Sequence, residues 1–170
     1  MSEHSTFSAR KLLTALIDAE VEFVIVGGLA AQAHGSPLIT EDLDICHDLD
    51  CANLERLANA LASLTASRRG MPEGVAPPLD ARALRAGDVF TLRTRFGDLD
   101  LLAHPEPGLD YQVLRSRAIR YELYGSEVWM ASLDDLIAMK RAAGRPKDLL
   151  ALEHLGALRE ELDRRDYPVL

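Results

Sequence analysis

The residues in this chain best placed to do chemistry are two carboxylates and two glycines. Asp42 and Asp44 flank Leu43, with thirteen residues between Asp42 and the pair Gly27-Gly28. Hard cations such as magnesium take oxygen ligands, typically one or two carboxylates together with substrate phosphates. A glycine turn that opens a helix presents free backbone N–H groups to phosphate oxygens. Either feature alone is common on ordinary protein surfaces. Together, at this spacing, they suit a divalent cation that carries a triphosphate.

These groups need elements to hold them. Val24-Ile25-Val26 is β-branched and apolar, as a buried strand requires. Leu29 to Ala33 is alanine-rich and helix-prone, and Gly35 with Pro37 ends it. In the strand that follows, a period of two puts Asp42 and Asp44 on one face and Leu43 and Ile45 on the other. Downstream, Val89 to Arg95 alternates apolar with polar residues, Phe96-Gly97 offers a turn, and Asp98-Leu99-Asp100-Leu101-Leu102 follows. That is a β-hairpin pattern. Asp100 is embedded among leucines, where a carboxylate is costly unless it is paired or binds a metal. It is therefore the expected third ligand, with Asp98 expected in solvent and His104 as loop decoration.

The rest of the chain reads as support. Ser5 to Glu20 forms an amphipathic helix capped by Ser5 or Ser8, and Val21 to Val26 a strand. Asp50 caps a helix with Leu54, Leu57, Leu61 and Leu64 on its core stripe. Residues 66–80, rich in Pro and Gly, read as a loop and the candidate lid. A helix covers Leu109 to Arg117, and strands at Ile119–Leu123 and Val128–Met130 bracket a turn at Tyr124–Ser126. Ser132 caps a helix that Gly144 stops, and a last helix carries Leu149, Leu152, Leu155 and Leu158. The expectation is an α/β (α+β) chain, one domain over 1–170, with a core at about 20–130 and a helical part at about 131–170.

Composition narrows the class. No apolar run approaches the roughly 18 residues of a membrane span, and Met-Ser-Glu-His-Ser lacks a basic stretch followed by an apolar core, so export is not expected. Cys46 and Cys51 form neither a disulfide framework nor a zinc pattern, so a cytoplasmic location is expected. The net charge of −8 argues against a generally basic surface, yet it is uneven. Residues 1–81 hold five basic against twelve acidic side chains, residues 82–147 eleven against nine, and residues 148–170 three against six. The middle segment could form a face that attracts phosphates.

A strand, Gly-Gly, a helix, Asp-x-Asp and an apolar-flanked third Asp resemble the nucleotidyltransferase superfamily, whose palm is shared with DNA polymerase β. Two further segments, residues 26–35 (Val-Gly-Gly-Leu-Ala-Ala-Gln-Ala-His-Gly) and 139–148 (Met-Lys-Arg-Ala-Ala-Gly-Arg-Pro-Lys-Asp), are similar to the AbiEii-type nucleotidyltransferase toxins. The resemblance spans roughly residues 20–155. It implies a small mixed β-sheet palm flanked by helices, with C-terminal helices. It implies that Gly27 and Gly28 hold nucleotide phosphates and that Asp42 and Asp44 bind Mg2+ or Mn2+. Asp100 would be the third carboxylate and take the proton from the attacking hydroxyl. Lys140 would contact the triphosphate, and Asp148 would orient it or support the acceptor. Two regions depart from the pattern. Leu38 and Glu41 stand in the region where relatives often carry a basic residue, and Ala151 where they commonly carry a second Asp.

Three readings follow. In the first, a toxin-like enzyme adds nucleotides to RNA, such as a tRNA 3′ end, and has an antitoxin partner. A basic groove would then be drawn from Arg82, Arg85, Arg93, Arg95, Arg115, Arg117 and Arg120. In the second, the acceptor is a small molecule such as an antibiotic hydroxyl, in an acidic pocket to which Glu41, Asp48 and Asp98 contribute. In the third, the chain is an inactive module that binds a partner.

Overall fold

The computed structural model describes residues 6–72 and 75–166. Its elements in chain order are α1 (Ala9–Asp18), β1 (Phe23–Val26), α2 (Gly27–Ala33), β2 (Asp42–His47), α3 (Cys51–Ser63) and β3 (Ser67–Arg68). Then come α4 (Ala81–Ala86), β4 (Val89–Thr94), β5 (Gly97–Leu102), α5 (Tyr111–Arg117), β6 (Ile119–Leu123), β7 (Ser126–Met130), α6 (Leu133–Ala143) and α7 (Pro146–Asp166). The strands form one seven-stranded sheet in the order β3-β4-β5-β2-β1-β7-β6. It is mixed: β2 runs parallel to β5 and β1 parallel to β7, while the other neighbours are antiparallel. The expected α/β class with a mixed sheet, flanking helices and C-terminal helices is what the chain adopts. Among the described residues no helix is long and apolar enough to cross a membrane.

The two central strands decide the core. All four residues of β1 are buried, so that strand has apolar layers on both faces. β2 instead alternates at its start, with Leu43 and Ile45 buried and Asp42 and Asp44 partly exposed. Leu12, Leu13 and Leu16 of α1, and Leu54, Leu57 and Leu61 of α3, join Leu43, Ile45, Leu99 and Leu101 in the core. The carboxylate face of the sheet is thus the one left for chemistry.

Several expected boundaries move for local reasons. α1 starts at Ala9 because the Ser8 hydroxyl accepts the Lys11 N–H; Ser5 lies outside the described residues. α2 begins at Gly27 itself, so the two glycines are the first residues of the helix and not a turn before it. The segment 66–80 is not all loop. Ser67 and Arg68 pair with β4 as a short strand, and the Arg69 N–H continues the ladder to the Thr91 carbonyl at 2.9 Å. Residues 73–74 of the expected lid lie outside the described residues. The last correction concerns α7, where Leu149 is 67% exposed while Leu155 is buried. Steps of three residues each fall about 60° short of a full helical circle, so Leu149 sits about 120° from Leu155.

Candidate active site

The site grows from the register of three strands. β1 and β2 are antiparallel with Val26 opposite Asp44, so the end of β1, where α2 begins, lies beside that carboxylate. β2 and β5 are parallel with Asp42 opposite Asp98 and Asp44 opposite Asp100. Parallel neighbours in register put their side chains on the same face. Asp42, Asp44 and Asp100 consequently offer oxygen atoms that all lie within 4.8 Å of one another. The three residues expected to share a metal therefore stand together, half-buried, at the head of the sheet.

Gly27 and Gly28 are shaped by these neighbours. Gly27 has φ +64°, and a Cβ there would sit 1.9 Å from Asp44 Oδ2; a Cβ on Gly28 would meet Thr40 Oγ1 at 2.6 Å. Both glycines let the start of α2 close onto the carboxylates. Thr40 donates its hydroxyl to Asp42 Oδ1 at 2.7 Å, which fixes that side chain from behind.

Burial raises the Asp44 pKa to about 7, and the neighbouring Asp42 and Asp100 push it the same way; Lys140 and the Gly28 N–H act against this. Asp100 is also raised, by burial first, while the Arg69 guanidinium holds it down. Asp44 and Asp100, whose charged forms are penalised by burial and by their acidic neighbours, make a site that gains from a cation. The donor set is all oxygen, which fits magnesium or manganese better than zinc or copper.

Arg69 has no place in the pattern read from sequence. Its guanidinium donates to Asp98 at 2.9 Å and also to Asp100. Asp98 is therefore ion-paired and not simply solvated as expected, because Arg69, just past the end of β3, reaches across β4 to β5. Its only signal in the sequence is a cation in a loop of Gly and Pro, which does not separate it from its neighbour Arg68.

The second half of the site comes from α6 and α7. Asp148 is 1% exposed; it accepts from Lys140 Nζ at 2.9 Å and from Arg145 Nε at 2.9 Å. Its second oxygen also takes the Arg145 backbone N–H at 3.2 Å, so it closes the first turn of α7. Burial raises its pKa, but the hydrogen bonds from Lys140 and Arg145 outweigh that and hold it below the usual carboxylate range. Lys140 Nζ has three donors. Its bond to Asp148 leaves others to face the cavity.

That cavity, about 410 Å³, brings the parts together. Gly28, Thr40, Asp42, Asp44, Thr91, Asp100, Lys140, Arg145 and Asp148 line it, with Leu38, Ile39, Val89, Leu102 and Leu155 as its apolar wall. A smaller lobe of about 140 Å³ shares Asp44, Lys140 and Arg145 and ends on Leu136, Met139 and Pro105. A larger concavity lies elsewhere, about 670 Å³ beside residues 76–82, and has Glu55, Arg68, Asp80 and Arg82 as its charged lining residues. It holds no cluster of three metal-ligating groups among the described residues.

The other nominated groups do not reach the carboxylates. None of the seven arginines expected to form a basic groove lines the cavity. Arg85 donates to the Leu49 carbonyl, Arg117 pairs with Asp135 at 2.7 Å and Arg120 with Glu127 at 3.3 Å. Arg95 stacks on Phe96 and Arg115 on Trp129, while Arg93 stands 3.9 Å from Asp98. Glu41 and Asp48 are not in the lining either; Asp48 accepts from the Asp50 N–H and from Gln112. His104 pairs with Asp88 at 3.0 Å, and Cys46 is a buried thiol.

No protein-family model matches this chain, and no curated protein matches it. Solved structures do. A candidate nucleotidyltransferase from Thermotoga maritima is similar at 18% identity and TM-score 0.54, over 91% of this chain and 90% of that one. The lincosamide antibiotic adenylyltransferase LnuA, with lincomycin bound, is similar at 14% identity and TM-score 0.57, over 90% and 99%. The antibiotic-resistance factor ANT(2'')-Ia is similar at 16% identity and TM-score 0.54, over 91% and 89%. At these identities the likeness shows the fold, which is that of the nucleotidyltransferases named. The finer resemblance to AbiEii-type toxins rests on the sequence alone.

Proposed function

We propose that this protein is a divalent-metal-dependent nucleotidyltransferase that moves a nucleoside monophosphate from a triphosphate to a hydroxyl of a small acceptor. The observation that carries the reading is the convergence of Asp42, Asp44 and Asp100 within 4.8 Å, in a cavity that Lys140 and Arg145 also line. Acids for a metal and cations for phosphates in one cavity suit a metal-bound triphosphate.

Asp42, Asp44 and Asp100 would hold Mg2+ or Mn2+, which when bound supplies charge neutralisation for the phosphates and activation of the attacking oxygen. Asp100 accepts the proton of the acceptor hydroxyl. Lys140 and Arg145, kept in place by Asp148, donate to phosphate oxygens and to the pyrophosphate as it leaves. Thr40 keeps Asp42 aimed. Gly27 and Gly28 bring the first N–H groups of α2 close to the same phosphates. The positions of these side chains support such roles, since a phosphoryl-type transfer needs positioning and electrostatics more than covalent help.

The choice of a small acceptor over RNA rests on what lines the mouth. Ile39 is 88% exposed and Val89 54% exposed at the cavity, and they give its approach an apolar character. Lys140 and Arg145 are its only lining cations among the described residues. A nucleic acid backbone would call for a track of basic groups. LnuA and ANT(2'')-Ia, by their names, act on or confer resistance to antibiotics, in keeping with a hydroxylated small molecule.

The test offers each labelled nucleoside triphosphate with magnesium to a panel of hydroxylated compounds, including lincosamides and aminoglycosides, and to total RNA. Label on a small compound, lost in Asp44→Asn and Asp100→Ala, is the expected result. Label on RNA would transfer the assignment to the toxin-like reading. No label on either, and no pyrophosphate released, would leave a binding module.

A further inference from the structure

The sheet ends differently on its two sides. β3 is only two residues long, whereas β6 at the other end is five residues long and exposed along most of its length. The β6–β7 hairpin closes through Tyr124 and Gly125, both at positive φ (54° and 79°), with Leu123 opposite Ser126. In a two-residue hairpin the closing pair is the hydrogen-bonded one, and bonded pairs then alternate along the ladder. Ile119, Tyr121 and Leu123 therefore turn their backbone groups toward β7. The N–H and C=O of Arg120 and Glu122 turn outward, and among the described residues no other backbone hydrogen bond reaches them.

The side chains of β6 are also incomplete on both faces. Ile119 and Tyr121 lie opposite the buried Met130 and Val128, yet remain 39% and 38% exposed. On the other face Glu122 stands directly opposite Glu127, a like-charge pair that costs stability. Arg120 serves Glu127 at 3.3 Å. Among the described residues no cation is within ion-pair distance of Glu122.

We propose that β6 pairs antiparallel with β6 of a second copy of this chain, about a two-fold axis through Tyr121. The sequence Ile119-Arg120-Tyr121-Glu122-Leu123 is complementary to itself in that register. Arg120 of each copy falls opposite Glu122 of the other, and their outward backbone groups form the bonded pairs. A two-fold perpendicular to the sheet keeps each face on its own side, so Ile119 and Tyr121 of both copies cover one another. The two sheets become one continuous sheet. A contact this small is at the weak end of specific interfaces, with dissociation on the order of micromolar. The inference does not depend on the proposed reaction.

Sedimentation over roughly 1 to 500 μM tests it. The wild type is expected to show a monomer–dimer equilibrium. Arg120→Glu should weaken the dimer at least about tenfold, as like charges then face across the axis. The double exchange Arg120→Glu with Glu122→Arg should restore it. Glu122→Pro should also abolish dimers while keeping the hairpin, because the N–H it removes points to solvent in the monomer. As a positive readout, Tyr121→Cys in a Cys51→Ser background should oxidise to a covalent dimer, since unbonded antiparallel pairs place Cα atoms about 4.5 Å apart. A wild type that stays monomeric throughout overturns the proposal. So does a dimer that Arg120→Glu and Glu122→Pro leave unchanged, which would form through another face.

Discussion

Asp44→Asn isolates what the carboxylate cluster costs the fold and what it gives to ligand binding. The pKa of Asp44 rises from 3.8 to about 7, with burial as the main cause and Asp42 and Asp100 adding to it. The folded state thus holds a proton on this group more tightly than the unfolded chain does. The sign follows: that stabilisation is full below about pH 4 and is lost as the pH rises toward 7. About three pKa units at 1.36 kcal/mol each set a ceiling near 4 kcal/mol. Partial exposure and relaxation reduce this to about 1–2 kcal/mol. Asparagine keeps the shape and the acceptor for the Gly28 N–H without the charge. In chelator at pH 8 the variant should therefore be more stable than the wild type by about 1–2 kcal/mol, or roughly 2–8 °C in Tm for a chain of this size. At pH 4 the two should nearly coincide. Magnesium or manganese with a triphosphate should then raise the wild-type Tm through binding linkage and leave the variant unmoved. Thermal melts at both pH values, with chelator and with metal plus nucleotide, read all of this. A variant less stable than the wild type at pH 8 in chelator, or one that keeps the ligand-dependent shift, refutes the reasoning.

Gly27→Ala should cost about 1–3 kcal/mol from the left-handed φ alone and should also displace Asp44, so urea melts and ligand-induced shifts both suffer. Arg69→Gln removes the cation that opposes the rise in the Asp100 pKa; the acid limb of the rate profile should move to higher pH, with stability changed by only about 0.5–1 kcal/mol because the pair is partly exposed. Asp148→Asn should leave Lys140 and Arg145 without their shared anion and raise KM for the triphosphate. Because the Asp148 pKa is lowered in the folded protein, its contribution is present above about pH 4 and lost in acid, so the variant should flatten the acid side of the stability profile. Acid titrations followed by circular dichroism check that last point.

Much of the site was legible because it is written in local periodicity. Two residues apart on a strand means one face, so Asp42 and Asp44 could be paired from sequence without any tertiary knowledge. Caps work the same way: Ser8, Asp50 and Ser132 each bond an N–H two or three residues on, and all three cap as their sequence context indicates. The alternation of β4 and the leucines around Asp100 told which carboxylate of the hairpin has the more apolar setting. Chemistry at this range depends on neighbours along the chain, and the chain lists its own neighbours.

What lies beyond that range was decided by folding. That Asp100 stands beside Asp44 depends on the parallel register of β2 with β5, which a slip of one residue would have turned to the other face. Arg69 reaches Asp98 and Asp100 from thirty residues away only because β3 extends the sheet past β4. Lys140 and Asp148 stood out in the sequence only through the family resemblance, and that Asp148 is buried between Lys140 and Arg145 follows from how α6 and α7 pack. The arginines expected to form a basic groove went the opposite way: Arg85, Arg93, Arg95, Arg115, Arg117 and Arg120 do not line the cavity. Adjacent in composition, they were dispersed by the fold to separate carboxylates, carbonyls and aromatic rings, because a charge goes to the partner its strand or helix happens to face. Sequence determines which face of an element a residue is on; only the packing of elements determines what that face meets.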